Sequence, residues 1–125
     1  MPGLSAIGIV TRDMAEAAGF YRLLGVEVPD ADGDHLEATL PNGLRVMWDT
    51  EELMKQLDPE REEPRGHRIA LAFDCGSPGE VDATHEQLVE AGFRSKAAPF
   101  DAFWGQRYAT VLDPDENPVD LFAPL

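Results

Sequence analysis

Leu36-Glu37-Ala38-Thr39-Leu40-Pro41-Asn42-Gly43-Leu44-Arg45-Val46-Met47-Trp48 reads as a β-hairpin. Polar Glu37 and Thr39 alternate with apolar Leu36, Ala38 and Leu40, the period of a strand with one wet and one dry face. Pro41-Asn42-Gly43 supplies the turn, and Leu44 to Asp49 returns beside the first strand. Near the other end of the chain the pattern recurs as Tyr108-Ala109-Thr110-Val111-Leu112, the turn residues Asp113 to Pro118, and Val119-Asp120-Leu121. The two stretches can be laid over one another with a small difference in turn length. A repeat of this size says more about the fold than any single motif.

Upstream of each hairpin stands a similar prelude. Ala6 to Val10 is a short apolar, β-rich run, and Asp13 with Glu16 three residues later has the spacing of a helix capping box. Met14, Ala17, Ala18, Tyr21 and Leu24 recur at helical spacing, and Gly25 closes the helix. Val26-Glu27-Val28 is predicted as a short strand, stopped by the turn residues Pro29 to Gly33. In the second copy, Arg68 to Phe73 is the opening strand. Ser77-Pro78-Gly79-Glu80 is again a capping box, with proline at the first helical position. Val81, Thr84, Leu88, Val89 and Ala91 carry the helix to Gly92, and Phe93 to Lys96 is a short strand. Gln106 to Leu112 and Val119 to Ala123 complete the copy, joined by a turn at Asp113 to Pro118. Between the copies, Thr50 to Leu57 forms a short helix and Asp58 to Gly66 is a charged, proline-containing linker.

The fold class is therefore α+β: two tandem βαβββ modules, about 4–57 and 67–125, joined by a linker at about 58–66 within a single domain, 1–125. One module has one helix and can cover only one face of its sheet, so the other face needs a partner.

Composition narrows the function classes. The chain has 125 residues, 43% hydrophobic and 27% charged, enough for a core without disulfides. Cys75 is the only cysteine, which leaves no disulfide framework and no cysteine cluster for metal. No run of about eighteen apolar residues spans a membrane, and the N-terminus has no signal-peptide pattern. The expectation is a soluble, cytoplasmic, bacterial protein without membrane or nucleic-acid partners. With 24 acidic against 10 basic residues the net charge is −14, which repels nucleic acid and attracts cationic ligands.

Three stretches carry a family resemblance. Ala6 to Val26 (strand, Thr11-Arg12-Asp13-Met14, helix with Phe20-Tyr21, then Leu24-Gly25-Val26) resembles the opening of vicinal-oxygen-chelate proteins. This is the superfamily of glyoxalase, bleomycin-resistance protein and dioxygenase. Gly66-His67-Arg68-Ile69-Ala70-Leu71-Ala72-Phe73 resembles its centre. Gly105-Gln106-Arg107-Tyr108 with Asp113 to Leu121 is similar to its closing signature, with Glu116 where glycine is usual. The resemblance covers nearly the whole chain and is specific for fold: it implies a concave, partly open mixed β-sheet cup flanked by helices. Its function is open, because the family includes lyases, dioxygenases, epimerases, thiol transferases and drug-binding proteins. It also implies a homodimer, with the pairing of modules within or between chains left open.

Family enzymes hold a divalent metal in the cup, and the resemblance places the four ligand positions at Ala6, Met47, Arg68 and Asp120. Alanine has no donor, a thioether is a poor ligand for hard or borderline cations, and arginine repels them. No metal and no cofactor are therefore expected. A one-residue slip would turn His67 into the cup, but alternation with Ile69, Leu71 and Phe73 favours Arg68, Ala70 and Ala72 there.

Strand alternation assigns Ala6, Gly8, Val10, His35, Glu37, Thr39, Arg45, Met47, Asp49, Arg68, Ala70, Ala72, Asp120 and Phe122 to the concave surface. Small residues on the central strands leave either a cavity or space that a loop at Pro99 to Trp104 plugs. Arg68 and Asp120 are expected to form an ion pair where the enzymes hold metal, as a structural substitute for the ion or as an anchor for a ligand. Trp48 belongs by parity to the helix-packed core, whereas Phe103, Trp104 and Phe122 offer rings to a flat ligand. Met47 adapts to varied shapes, and His35 with Glu37 is either an acid–base pair or a solvated face. The candidate ligand-binding residues are thus His35, Glu37, Arg45, Met47, Arg68, Phe103, Trp104, Asp120 and Phe122. No catalytic residue is assigned. The leading expectation is metal-independent binding or sequestration of a small organic molecule, antibiotics included. A metal-dependent lyase or thiol transferase is the alternative, and a degenerate member with a structural or protein-binding role a third.

Overall fold

The computed structural model describes residues 1–30 and 33–125. In chain order the elements are β1 (Ala6–Thr11), α1 (Met14–Leu23), β2 (His35–Thr39), β3 (Arg45–Thr50), α2 (Glu51–Leu57), β4 (Leu71–Asp74), α3 (Pro78–Glu90), β5 (Arg94–Ala102), β6 (Gln106–Leu112) and β7 (Pro118–Pro124). They form two compact units, Met1–Glu63 and Pro64–Leu125.

In the first unit the strand order is β1-β3-β2, with β1 parallel and β2 antiparallel to β3. The Asp13 carboxylate accepts the Glu16 N–H at 3.1 Å and starts α1, as the capping-box spacing predicts. Gly25 leaves the helix at φ 85°, a conformation that a side chain would resist. Ile9, Leu36, Ala38, Val46 and Trp48 are buried on one face of the sheet, and α1 buries Ala17, Ala18, Phe20 and Tyr21. Tyr21 and Trp48 meet with ring centroids 5.5 Å apart, so the indole belongs to the core as its parity indicates. Thr50 caps α2 by accepting the Leu53 N–H.

The predicted strand at Val26–Val28 does not form. Both valines are buried, but the carbonyls of Val28 and Pro29 accept Arg22 Nε and Nη2 at 3.1 and 3.0 Å. A side chain thus takes hydrogen bonds that a neighbouring strand would otherwise supply. In the predicted turn that follows, Ala31 and Asp32 lie outside the described residues.

The second unit repeats the topology with one more strand: β4-β7-β6-β5, with β4 parallel to β7 and the other pairs antiparallel. Ser77 caps α3 by accepting the Glu80 N–H, Pro78 occupies the first turn, and Gly92 exits at φ 97°. Val81 and Leu88 are buried with Ala109, Val111, Val119 and Leu121. Arg107 ties three elements together, donating from Nε and Nη2 to Asp82 of α3 and from Nη1 to Asp101 of β5.

Two boundaries differ from expectation. β4 begins at Leu71, leaving Arg68, Ile69 and Ala70 before the strand and exposed. Its register starts at Leu71↔Val119, and the preceding position on β7 is Pro118, which has no N–H to offer a longer ladder. β5 runs to Ala102 and absorbs Pro99 to Ala102, predicted as loop. Proline is tolerated there because β5 is an edge strand, with register shifts between Ser95 and Ala97 and between Ala97 and Phe100. Only Phe103, Trp104 and Gly105 remain as the turn into β6.

Candidate functional site

Because side chains alternate along a strand, each sheet turns one face to its helix and leaves the other open. The open face of the first unit carries His35, Glu37 and Thr39 on β2, Arg45, Met47 and Asp49 on β3, and Ala6, Gly8 and Val10 on β1. Its polar groups bind one another. His35 Nδ1 lies 2.5 Å from Asp49 Oδ1 and Nε2 lies 3.0 Å from Glu37 Oε2. Arg45 Nη1 donates to the other oxygen of Glu37 at 2.7 Å. Hydrogen bonds to the carboxylates of Glu37 and then Asp49 raise the His35 pKa above 6.5, and the bond from His35 lowers that of Glu37. The imidazole has a carboxylate at each nitrogen, which is a closed charge network.

The open face of the second unit is different in kind. Strand register puts Tyr108 opposite both Phe100 and Phe122, and Asp120 between Thr110 and Ala72. Tyr108 Oη donates to Asp120 Oδ2 and Thr110 Oγ1 to Oδ1, each at 2.7 Å. Desolvation and the nearby Asp120 carboxylate push the Tyr108 pKa up to about 12, so its hydroxyl remains a donor at neutral pH. Trp104 packs edge-on against Tyr108 at 5.2 Å and against Phe100 at 6.2 Å, and Phe103 packs against Trp104 at 5.0 Å. Trp104 Nε1 donates to Gln106 Oε1 at 2.8 Å, which orients the indole. Phe100, Phe103 and Trp104 are exposed, while Tyr108, Asp120 and Phe122 are half-buried.

The candidates from sequence therefore separate into groups. His35, Glu37 and Arg45 come together and Met47 lies beside them on the first unit's open face, with Glu37 opposite Met47. Asp120 and Phe122 come together on the second unit's open face, and Phe103 and Trp104 stand in its β5–β6 turn. Arg68 does not join them. The expected Arg68–Asp120 ion pair is absent, because Arg68 precedes β4 and the β4 residue in register with Asp120 is Ala72. Sequence reasoning missed Tyr108, Thr110 and Phe100. Tyr108 and Thr110 were legible from the hairpin, since a turn at Asp113 to Asn117 puts them across from Phe122 and Asp120. Phe100 was hidden by the proline beside it.

The donor set at the metal-ligand positions does not suit a divalent ion. Ala6 offers no donor, Met47 a thioether, Arg68 a cation outside its strand, and Asp120 a carboxylate engaged by two hydroxyls. Among the described residues, no three His, Cys, Asp or Glu side chains are grouped to hold a metal ion. His35 illustrates why: its two carboxylates lie at opposite nitrogens, where a single ion cannot meet both.

Comparison with known proteins agrees with this fold. A crystal structure of a glyoxalase/bleomycin resistance protein/dioxygenase family enzyme from Burkholderia phytofirmans PsJN superposes with TM-score 0.87 at 21% identity, covering 99% of this chain and 100% of that one. A glyoxalase-related enzyme from Fulvimarina pelagi gives TM-score 0.86 at 19% identity, over 98% and 88% of the two chains. Lactoylglutathione lyase from Agrobacterium tumefaciens gives 0.68 at 16% identity, over 97% and 92%. Identities this low speak to fold alone. No curated protein matches the chain. Residues 3–121 match the family pattern, and the chain belongs to the Glyoxalase/Bleomycin resistance protein/Dioxygenase superfamily.

Proposed function

We propose that this protein binds a small organic molecule without a metal, in the manner of a sequestering resistance protein, and that the open face of the second unit is its main contact surface. The observation that carries this reading is the cluster of Phe100, Trp104 and Tyr108 around the hydrogen-bonded carboxylate of Asp120. Rings fixed edge-to-face present apolar area at little entropic cost, and a few polar groups among them set orientation. His35, Glu37, Arg45 and Met47 are candidate contacts on the first unit's open face, taken by itself. Arg68 is exposed before β4 and contributes charge at most.

The two tryptophans make the test direct. Trp48 is buried and Trp104 exposed, so a ligand at this face changes the emission of Trp104. A panel of planar and cationic antibiotics and metabolites is expected to give at least one saturable change that disappears in Trp104→Phe. No saturable change with any compound, read in parallel by calorimetry, would end the binding reading. The alternative of a metal-dependent lyase or thiol transferase draws on family membership alone. Stoichiometric, tightly held nickel, zinc or manganese accompanied by turnover in an activity screen would replace binding with catalysis.

The same reading includes a cytoplasmic homodimer. Ile69, beside the edge strand β4, is 78% exposed, an apolar residue that a second copy would cover. Light scattering at micromolar concentration is expected to give twice the 13.7 kDa chain mass.

A further inference from the structure

Asp120 is a half-buried carboxylate that, among the described residues, forms no ion pair. Its two oxygens accept from neutral hydroxyls, Tyr108 Oη and Thr110 Oγ1, which orient the group without cancelling its charge. Two cations of its own unit are committed elsewhere, Arg94 to Glu116 and Arg107 to Asp82 and Asp101, while Arg65 and Lys96 are exposed. Arg68 stands exposed before β4. Among the described residues no lysine, arginine or histidine forms an ion pair with Asp120. Buried carboxylates ordinarily have such a partner, because desolvating an unpaired charge is costly.

What surrounds the carboxylate says what could supply the missing charge. A hydrated inorganic cation wants several oxygen ligands, and this face offers one carboxylate. Phe122 lies two residues from Asp120 on the same side of β7, and Tyr108 stands opposite it. Trp104 meets Tyr108 with its plane tilted 80° and Phe100 with 89°, so the rings turn their electron-rich faces in different directions. Such faces attract organic cations. Ala72, in register beside Asp120, adds only a methyl group and leaves room next to the carboxylate. The net charge of −14 attracts a cation from a distance and repels an anion.

We propose that the open face of the second unit takes a monovalent organic cation, a planar N-alkylated aromatic whose charge lies against Asp120 and whose ring system stacks on Trp104 and meets Phe100 edge-on. This rests on the binding reading above and narrows its ligand class. A neutral aromatic of the same shape gains the ring contacts but not the charge, so it binds more weakly. A lost charge contact and cation–π contact together correspond to roughly tenfold in affinity.

Calorimetric titration with N-methylquinolinium and with quinoline, which is neutral at pH 8, tests the point. The cation is expected to bind at least about tenfold more tightly, with an advantage that shrinks as salt is raised and falls in Asp120→Asn to what the ring faces alone supply. Trp104→Leu, at an exposed position that leaves folding intact, is expected to weaken both probes. Equal affinity for the two probes in the unaltered protein would overturn the cation inference while leaving small-molecule binding in place. So would a folded Asp120→Asn that keeps the full preference. The preference of the unaltered protein is read without any variant, so a misfolded Asp120→Asn does not shelter the proposal. Failure of both probes overturns it as well; the binding reading then stands or falls on the wider panel.

Discussion

The two units share a topology and differ in what they show on their open faces. In each, the first strand lies parallel to the last, and the last is joined by a hairpin to its antiparallel neighbour. On the first unit's open face the charges satisfy one another: Asp49 with His35, His35 with Glu37, Glu37 with Arg45. On the second, an aromatic cluster reaches through Tyr108 to a carboxylate that has hydroxyl donors but, among the described residues, no cation. A charge network closed on itself has little left for a ligand, whereas an uncompensated one has an electrostatic reason to bind. The repeat conserves the buried half of each sheet, where packing is demanding, and leaves the open half free to take different chemistry.

Variants can break or sharpen this comparison. The largest effects belong to the layer the units share. Leu36→Ala in the first and Leu121→Ala in the second both truncate a leucine buried on a helix-facing side. Each is expected to cost about 2–5 kcal/mol in urea unfolding. Markedly unequal costs would mean that the two cores are not equivalent. Next come the caps: Asp13→Ala and Ser77→Ala each remove an N-cap acceptor, and each is expected to cost about 1 kcal/mol in the same measurement.

On the open faces, Tyr108→Phe removes one of two donors to Asp120 and is expected to cost about 1 kcal/mol, read by urea unfolding at pH 7. Glu116→Gly is smaller and of opposite sign. Glu116 is the one described non-glycine residue with positive φ, at 67°, and its ion pair with Arg94 is exposed. Relief of that backbone strain outweighs a weak surface pair, so a gain of roughly 0.5 kcal/mol is expected by thermal unfolding.

The smallest effect separates the faces by pH. The His35 pKa is raised on folding, so the stability from its pairing is fully present below its ordinary value of 6.5. It is lost as pH rises through the higher folded value. The unaltered protein is therefore expected to lose its Tm advantage over His35→Asn as the pH is raised above 6.5. A constant difference across that rise would mean that the network does not depend on the imidazolium. Tyr108, which titrates only near pH 12, gives the second face no such dependence in this window.

Much of this molecule was legible from residue order. Capping boxes at Asp13 and Ser77, closing glycines at Gly25 and Gly92, and both hairpins follow from local chemistry, and each occurs where its residues indicate. Alternation also assigned Trp48 to the core and Asp120 and Phe122 to the open face. Val26–Val28 had strand composition, yet Arg22 from the preceding helix satisfied its backbone instead. Pro99 signalled a loop, but at an edge strand a missing N–H costs little.

Sequence by itself determined the duplicated unit, its helix starts and stops, and which side of each strand is apolar, because these depend on neighbours within a few residues. Which polar groups meet was decided by tertiary structure. Strand register is a long-range property, and the parallel pairing of β4 with β7 puts Ala72, rather than Arg68, beside Asp120. That register leaves, in place of an expected ion pair, a carboxylate held by the hydroxyls of Tyr108 and Thr110.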